Sequence, residues 1–510
     1  MRAPTRSGGR ALAVLIVGAI AVSGCSASSS KTSASSSDIL RVVAQNEPVT
    51  LNPVYSSTSD VKSWGSMFDS LVGIDRASTA PDQDGLLYGW TRPTPTTWMF
   101  KVRTGVTFHN GEAFDAAAAA FTITQEVTDK KAVLGGNYSA VQSATPQGAD
   151  LQVTTKEPFP ALPAMFAITM AVPPKAYQAA GGDAFASHPI GTGPFVFASY
   201  GRGGTLKTTA NEKYWRGAPK LKGMSVSWSA DGQTRASLVQ TGQADLALDL
   251  TPQTLSAVKS DSKLNVVQKP VDARYFVYFN EKAPPFDNPV MRKAAALAID
   301  KKSIVSGLFK EGGASVYNYF VGDLFPSPPT YADSISYNVD EAKRLLASVP
   351  GPHAVTMSYA TGRSPNDAQI GSAIVGMLQN AGFTVTNDPV DFATFVQRRN
   401  NNSMQATGLQ IINAFRDPDE EFRPWVGKTS ITHNCVSDPY DALSTQALAQ
   451  PEEGARNQIY GQMEDMLLNQ DVCFVPVLRY DGIWAMTKSV QGFQPPRFAS
   501  PDYYKISMGS

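Results

Sequence analysis

Residues 188–215 read HPIGTGPFVFASYGRGGTLKTTANEKYW. Gly191-Thr192-Gly193-Pro194 is a turn signal, with two residues free to take positive φ and one whose φ is fixed. Two alternating runs follow, Phe195 to Tyr200 and Thr205 to Ala210, parted by Gly201-Arg202-Gly203-Gly204. The pattern predicts a β-hairpin with a flexible loop. Asn211 to Trp215 then turns the chain toward a third alternating run, Gly223 to Ser229.

A second block lies upstream, where residues 97–120 read TWMFKVRTGVTFHNGEAFDAAAAA. Trp98, Phe100 and Val102 alternate with Met99, Lys101 and Arg103, the mark of a half-buried strand. Asn110-Gly111 is a turn signal. Asp115 is placed to cap a helix running through Ala116 to Thr124, because its carboxylate can accept the free amides of the first turn. His109 is a lone histidine in a turn, expected to be structural.

Together these blocks resemble the extracytoplasmic solute-binding proteins of ABC importers, in the dipeptide, oligopeptide and nickel branch. The resemblance is carried by the Gly191–Phe195 turn, by Asn211, Tyr214, Trp215, Gly217 and Pro219, and by the Trp98 to Ala116 pattern. Leu51-Asn52-Pro53 fits as well. So do Arg235, Leu238, Gly242 and Asp245, with one offset, and Arg292, Ala295, Ala298 and Asp300. It implies an α/β chain of two periplasmic-binding-protein-like lobes, type II, of the larger cluster with an extra subdomain, around a hinged cleft. The expected division is a signal peptide over 1–24, a Ser/Ala-rich tether over 25–37, a first lobe over 38–271 with the extra subdomain near 76–187, a second lobe over 272–480, and a return to the first lobe over 481–510. Arg274 to Asn280 and Val475 to Trp484 are expected near the hinge.

Size and composition agree. The chain has 510 residues, too many for one core. It is 42% hydrophobic and 17% charged, in the range of globular proteins. Forty-four basic residues balance 44 acidic ones, so no charge excess points to nucleic acid.

The N-terminus reads as a secretory signal: Arg2, Arg6 and Arg10, an apolar run from Ala11 to Val22, then Ser23-Gly24-Cys25. Val22 to Cys25 resembles a bacterial lipobox, which implies diacylation of Cys25 and an anchor on the outer face of the cell membrane. The Ser/Ala run behind it cannot build a core and reads as a tether. Cys435 and Cys473 remain, an even pair in an exported chain, and are expected to form a disulfide. The four histidines lack zinc-site spacing, and no cofactor is expected.

No G-x-S-x-G, Walker loop or G-x-G-x-x-G is present. The carboxylates Asp417, Asp419, Glu420 and Glu421 could serve a hydrolase, and a charge run of this kind is more often a solvated loop. A binding protein needs polar groups in a cleft instead.

The resemblance places the loop after the first strand, with Asn46 and Glu47, at that cleft, together with Tyr275. In peptide binders of the family an Asp before the D-P segment clamps the peptide amine. Here the D-P segment is Asp417-Pro418 and the clamp position holds Ala414, flanked by Asn413, Phe415 and Arg416. The clamp is therefore missing unless Asp417 takes the role. Arg363 matches the family's carboxylate-holding arginine, and a guanidinium suits carboxylates because its fork donates two parallel bonds. The expected solutes are a peptide, a modified peptide, an oligosaccharide or a metal carried by a chelator. The expected partners are an ABC permease with its ATPase subunits, with the chain acting as a monomer. A secreted hydrolase and a sensing lipoprotein without transport are the alternatives.

Overall fold

A computed structural model describes residues 38–57, 61–75, 81–310, 312–322, 332–412, 417–428, 430, 435–496 and 500–509. The signal segment, Cys25, the tether and residues 413–416 lie outside them.

One hydrogen-bonded path of strands passes through both lobes. In the first lobe, Ile39–Ala44 pairs in parallel with Gly223–Trp228 on one side and Leu246–Ala247 on the other. The hairpin read from sequence is present as Phe195–Ser199 against Leu206–Ala210, and its second strand runs antiparallel to Gly223–Trp228. Two long strands, Leu264–Phe279 and Phe474–Thr487, then run antiparallel to each other from one lobe into the next. Their register is interrupted between Pro270 and Arg274. Beyond that break, Ala273 to Phe279 pair with Ala406–Ile412, which runs parallel to Ala354–Thr361. Thr384–Asp391 completes the second lobe, parallel to Ala354–Thr361. Pro389 is tolerated because this is an edge strand. Arg274 to Phe279 therefore lie within the second lobe's sheet, and the irregularity falls just ahead of them.

The extra layer is a four-stranded antiparallel sheet of Leu87–Thr94, Thr97–Val102, Asp150–Thr155 and Val141–Gln147. Trp98, Phe100 and Val102 are buried as their alternation predicts. Asp115 caps the helix Ala116–Thr128, accepting the Ala118 amide at 2.9 Å.

The deciding stretch is clasped by side chains from elsewhere in the first lobe. Gly191 donates its N–H to His109 Nδ1 at 3.3 Å, which leaves Nε2–H to donate to the Gly193 carbonyl at 2.9 Å. His109 is thus a structural clip. Asp69 accepts from Thr192 Oγ1, Tyr214 Oη and Trp215 Nε1 at 2.7–2.9 Å. The glycines of the turn differ from expectation. Neither takes positive φ. A Cβ on Gly191 would lie 2.1 Å from the Met67 carbonyl oxygen, and one on Gly193 would lie 2.6 Å from the Met67 carbonyl carbon. Close approach of two backbones, and not turn handedness, requires them.

Candidate functional site

A cavity of about 630 Å³ opens where the carboxyl ends of strands from both lobes meet. This is where α/β sheets place ligand sites. From the first lobe come Gln45, just past Ile39–Ala44; Ala230, past Gly223–Trp228; and Leu248 to Pro252, past Leu246–Ala247. From the second come Gly362 to Pro365, past Ala354–Thr361, and Gln410 and Ile412. Asp272, Tyr480, Asp481 and Trp484, from the two long strands, line it between them.

The buried Arg235 builds the first wall. Its guanidinium donates to the carbonyls of Leu248 at 3.1 Å, Ser229 at 2.7 Å and Ala230 at 3.1 Å, and also to that of Asp249. Two loops that would each leave carbonyls unpaired are tied into one surface. Asp367 does the corresponding work in the second lobe. Its carboxylate accepts the N–H of Arg363 at 2.8 Å, of Ser364 at 3.0 Å and of Ala368 at 2.7 Å, fixing the loop at the start of the helix Asp367–Ala381.

Arg363 projects from that loop. Its guanidinium lies 4.1 Å from the Phe392 ring centroid and has no acidic partner among the described residues. The side chain reaches solvent, while the surrounding walls and the charge of Arg399 hold its pKa below the ordinary arginine value. The cleft's own acids are differently placed. Asp272 pairs with Arg479 at 3.2 Å, and Asp481 accepts from Gln268 Nε2 at 2.8 Å.

The lobes touch on the rim. Gln253 Nε2 donates to Asn366 Oδ1 at 2.8 Å, Asn137 Nδ2 to Glu420 Oε2 at 3.4 Å, and Arg92 Nη2 to the Leu448 carbonyl at 3.4 Å. Arg423 stands 5.2 Å over the Phe159 ring.

Of the residues singled out from sequence, Arg363 lines the cavity. Asn413, Ala414, Phe415 and Arg416 lie outside the described residues, directly after Ile412 of its wall. Asp417 is buried in an ion pair with Arg456 inside the second lobe. Tyr275 is buried against Gly408 in that lobe's core. Glu47 turns to the hairpin, accepting from Tyr200 Oη at 2.7 Å and Gly203 N–H at 2.6 Å, and Asn46 beside it is exposed and does not line the cavity. Cys435 and Cys473 form a disulfide. Glu281 lies beside it, the single His/Cys/Asp/Glu group among the described residues dense enough to suggest a metal, but its sulfurs are bonded to each other. Sequence reasoning did not assign Gln410 or Trp484 to the site, because nothing local in sequence marks a residue brought to a wall by strand order.

Among the described residues no helix is long and apolar enough to cross a membrane. The profile described as "Bacterial extracellular solute-binding proteins, family 5 Middle" matches residues 64–433. Heme-binding protein A of Haemophilus influenzae is 28% identical over 63% of this chain and 60% of its own length. Probable di/tripeptide-binding protein 5 of Pseudomonas aeruginosa is 25% identical over 63% of this chain and 62% of its own. The matches thus span about three-fifths of those relatives. HbpA2 of Haemophilus parasuis superposes with a TM-score of 0.81, at 20% identity, covering 92% of this chain and 100% of that one, which establishes the two-lobed fold.

Proposed function

Since the chain belongs to family 5 of the bacterial extracellular solute-binding proteins, we propose that it is the substrate-binding lipoprotein of an ABC importer. It captures a small solute with an anionic group between its lobes and delivers it, unaltered, to a membrane permease. The observation that carries this reading is Arg363, a guanidinium in a cleft wall with no acidic partner among the described residues. A cavity of about 630 Å³ suits a peptide-sized molecule. The relatives are named for peptides and for heme, chemically diverse solutes that share carboxylates. Ala414 stands at the amine-clamp position and Asp417 is engaged by Arg456, which favours a solute without a free amine, such as a modified peptide or a chelate. Lipid on Cys25 would hold the protein outside the cell membrane.

Mass spectrometry of the co-purifying solute, followed by titration calorimetry, tests the reading. Arg363→Ala is expected to weaken binding by about tenfold or more, the weight of a charge-assisted pair. Unchanged affinity, or chemical conversion of the solute, overturns it.

A further inference from the structure

The main cleft has a side branch of about 180 Å³, lined by Arg363, Arg399, Gln410, Ile412, Glu420 and Trp425 among others. Arg363, Gln410 and Ile412 also line the main cavity, so the two spaces share part of one wall. Asn137 of the extra subdomain closes the branch from across the cleft.

The charges of this branch do not balance. Each of its acids already has an arginine: Glu420 pairs with Arg423, and the buried Glu421 pairs with Arg274. Asp417 behind them is taken by Arg456. Arg363 and Arg399 have no carboxylate partner among the described residues. Among the described residues the Arg399 guanidinium donates to the neutral Asn400 side chain, at 3.2 and 3.1 Å. Both guanidiniums rest on aromatic rings, Arg363 on Phe392 and Arg399 5.7 Å from the Trp425 centroid. Stacking holds each fork in place and leaves donors at its edge for a ligand. One helix arranges both contacts. Phe392–Asn400, capped by Asp391, carries Phe392 under Arg363 and Arg399 two turns later on the same side.

We propose that the branch is a second subsite, built to receive a doubly charged anionic group of the solute between Arg363 and Arg399. Two like charges facing one small cavity repel unless an anion lies between them. A tetrahedral phosphonate or phosphate satisfies both forks at one atom, and a pair of carboxylates satisfies them separately. The inference deepens the proposed function and rests on it for the solute's place in the cleft.

Calorimetry of the full chain at pH 8.5 with three probes tests it: N-acetyl-alanyl-alanine, N-acetyl-alanyl-aspartate, and N-acetyl-alanyl-(1-aminoethyl)phosphonate. The doubly charged probes are expected to bind at least about tenfold tighter than the singly charged one. The better of the two identifies the anion source. Arg399→Gln brings that ratio toward one, and Arg399→Lys keeps part of it. Melting curves verify that both variants fold, and the wild-type ratio is decisive in either case. Equal affinities in wild type, an unchanged ratio in Arg399→Gln, or no binding of any doubly charged probe overturns the inference. If N-acetyl-alanyl-alanine still binds through Arg363 in those cases, the solute-binding reading stands; if no binding depends on Arg363, that reading falls too.

Discussion

Arg456 grips Asp417 through two bonds, Nη1 to Oδ1 at 3.1 Å and Nη2 to Oδ2 at 2.7 Å. The same carboxylate accepts the Asp419 N–H at 3.0 Å and so caps the helix Pro418–Trp425. Both partners are buried. Asp417 is thus held both by a buried ion pair and by the helix it begins.

Asp417→Ala should therefore act on folding. It leaves the Arg456 charge buried and unpaired, which costs about 3–5 kcal/mol, and it removes a helix cap. Chemical denaturation measures the loss. A change below about 1 kcal/mol would mean that water reaches Arg456 and the pair is of the weak, exposed kind.

Gly482→Ala should disturb the cleft from within. A Cβ there would lie 2.2 Å from Cη2 of Trp484, whose ring is buried in the cleft wall. An indole ring on a sheet cannot bend aside as a lysine tip can, so strand or ring must shift. Overpacking of this kind costs about 1–3 kcal/mol. We expect a lower melting temperature together with weaker solute binding; a fall in neither would show that Trp484 has room to rotate.

Local chemistry explains what could be read before the fold was known. Asp115 precedes a helix and accepts a first-turn amide, as its place in the sequence predicts. Ile370, Ile374 and Leu378 recur at helical spacing and all are buried in the second lobe. The cleft resisted such reading because its chemistry depends on pairing across long separations. Asp417 reads as a solvated acid until Arg456 is brought to it from another helix. Arg399 follows Arg398 on one helix, yet Arg398 takes Asp388 at 2.6 Å and Arg399 has no acid among the described residues. Glu47 looks cleft-facing by its place after the first strand, and the hairpin claims it. The glycines at 191 and 193 were legible as glycines, but their reason, the Met67 backbone, is more than 120 residues away.

The Cys435–Cys473 disulfide should contribute chiefly by restricting the unfolded chain. A separation of 38 residues corresponds to about 4 kcal/mol in the chain-entropy account. It ties Cys435 to Cys473, directly ahead of the long interlobe strand Phe474–Thr487. The Cys435→Ala/Cys473→Ala double variant is expected to unfold at lower denaturant, and added dithiol to shift wild type toward it while leaving the variant unmoved. Coincident curves for wild type and variant would show that the bond is dispensable for stability.

Buried acids make a prediction about pH. Glu126 lies on the core side of the helix Ala116–Thr128, with Oε2 lacking a hydrogen-bond partner among the described residues. Burial first, and then the nearby Asp129, push its carboxyl up from an ordinary 4.5 to about 8. A folded state that holds this proton more tightly than the unfolded chain is favoured below the unfolded value. That advantage is lost as pH rises through the folded value. Glu464, pushed up to about 7 by burial despite accepting the Val321 amide at 3.1 Å, acts in the same direction. Unfolding free energy should therefore fall between about pH 4.5 and 8, by at most about 1.4 kcal/mol per pH unit for each such group. Glu126→Gln keeps the shape of the protonated acid without its titration. It should flatten the slope and match or exceed wild-type stability at pH 8.5. A slope unchanged in Glu126→Gln would mean that the carboxylate finds water or a partner when it ionises, and that the dependence originates elsewhere.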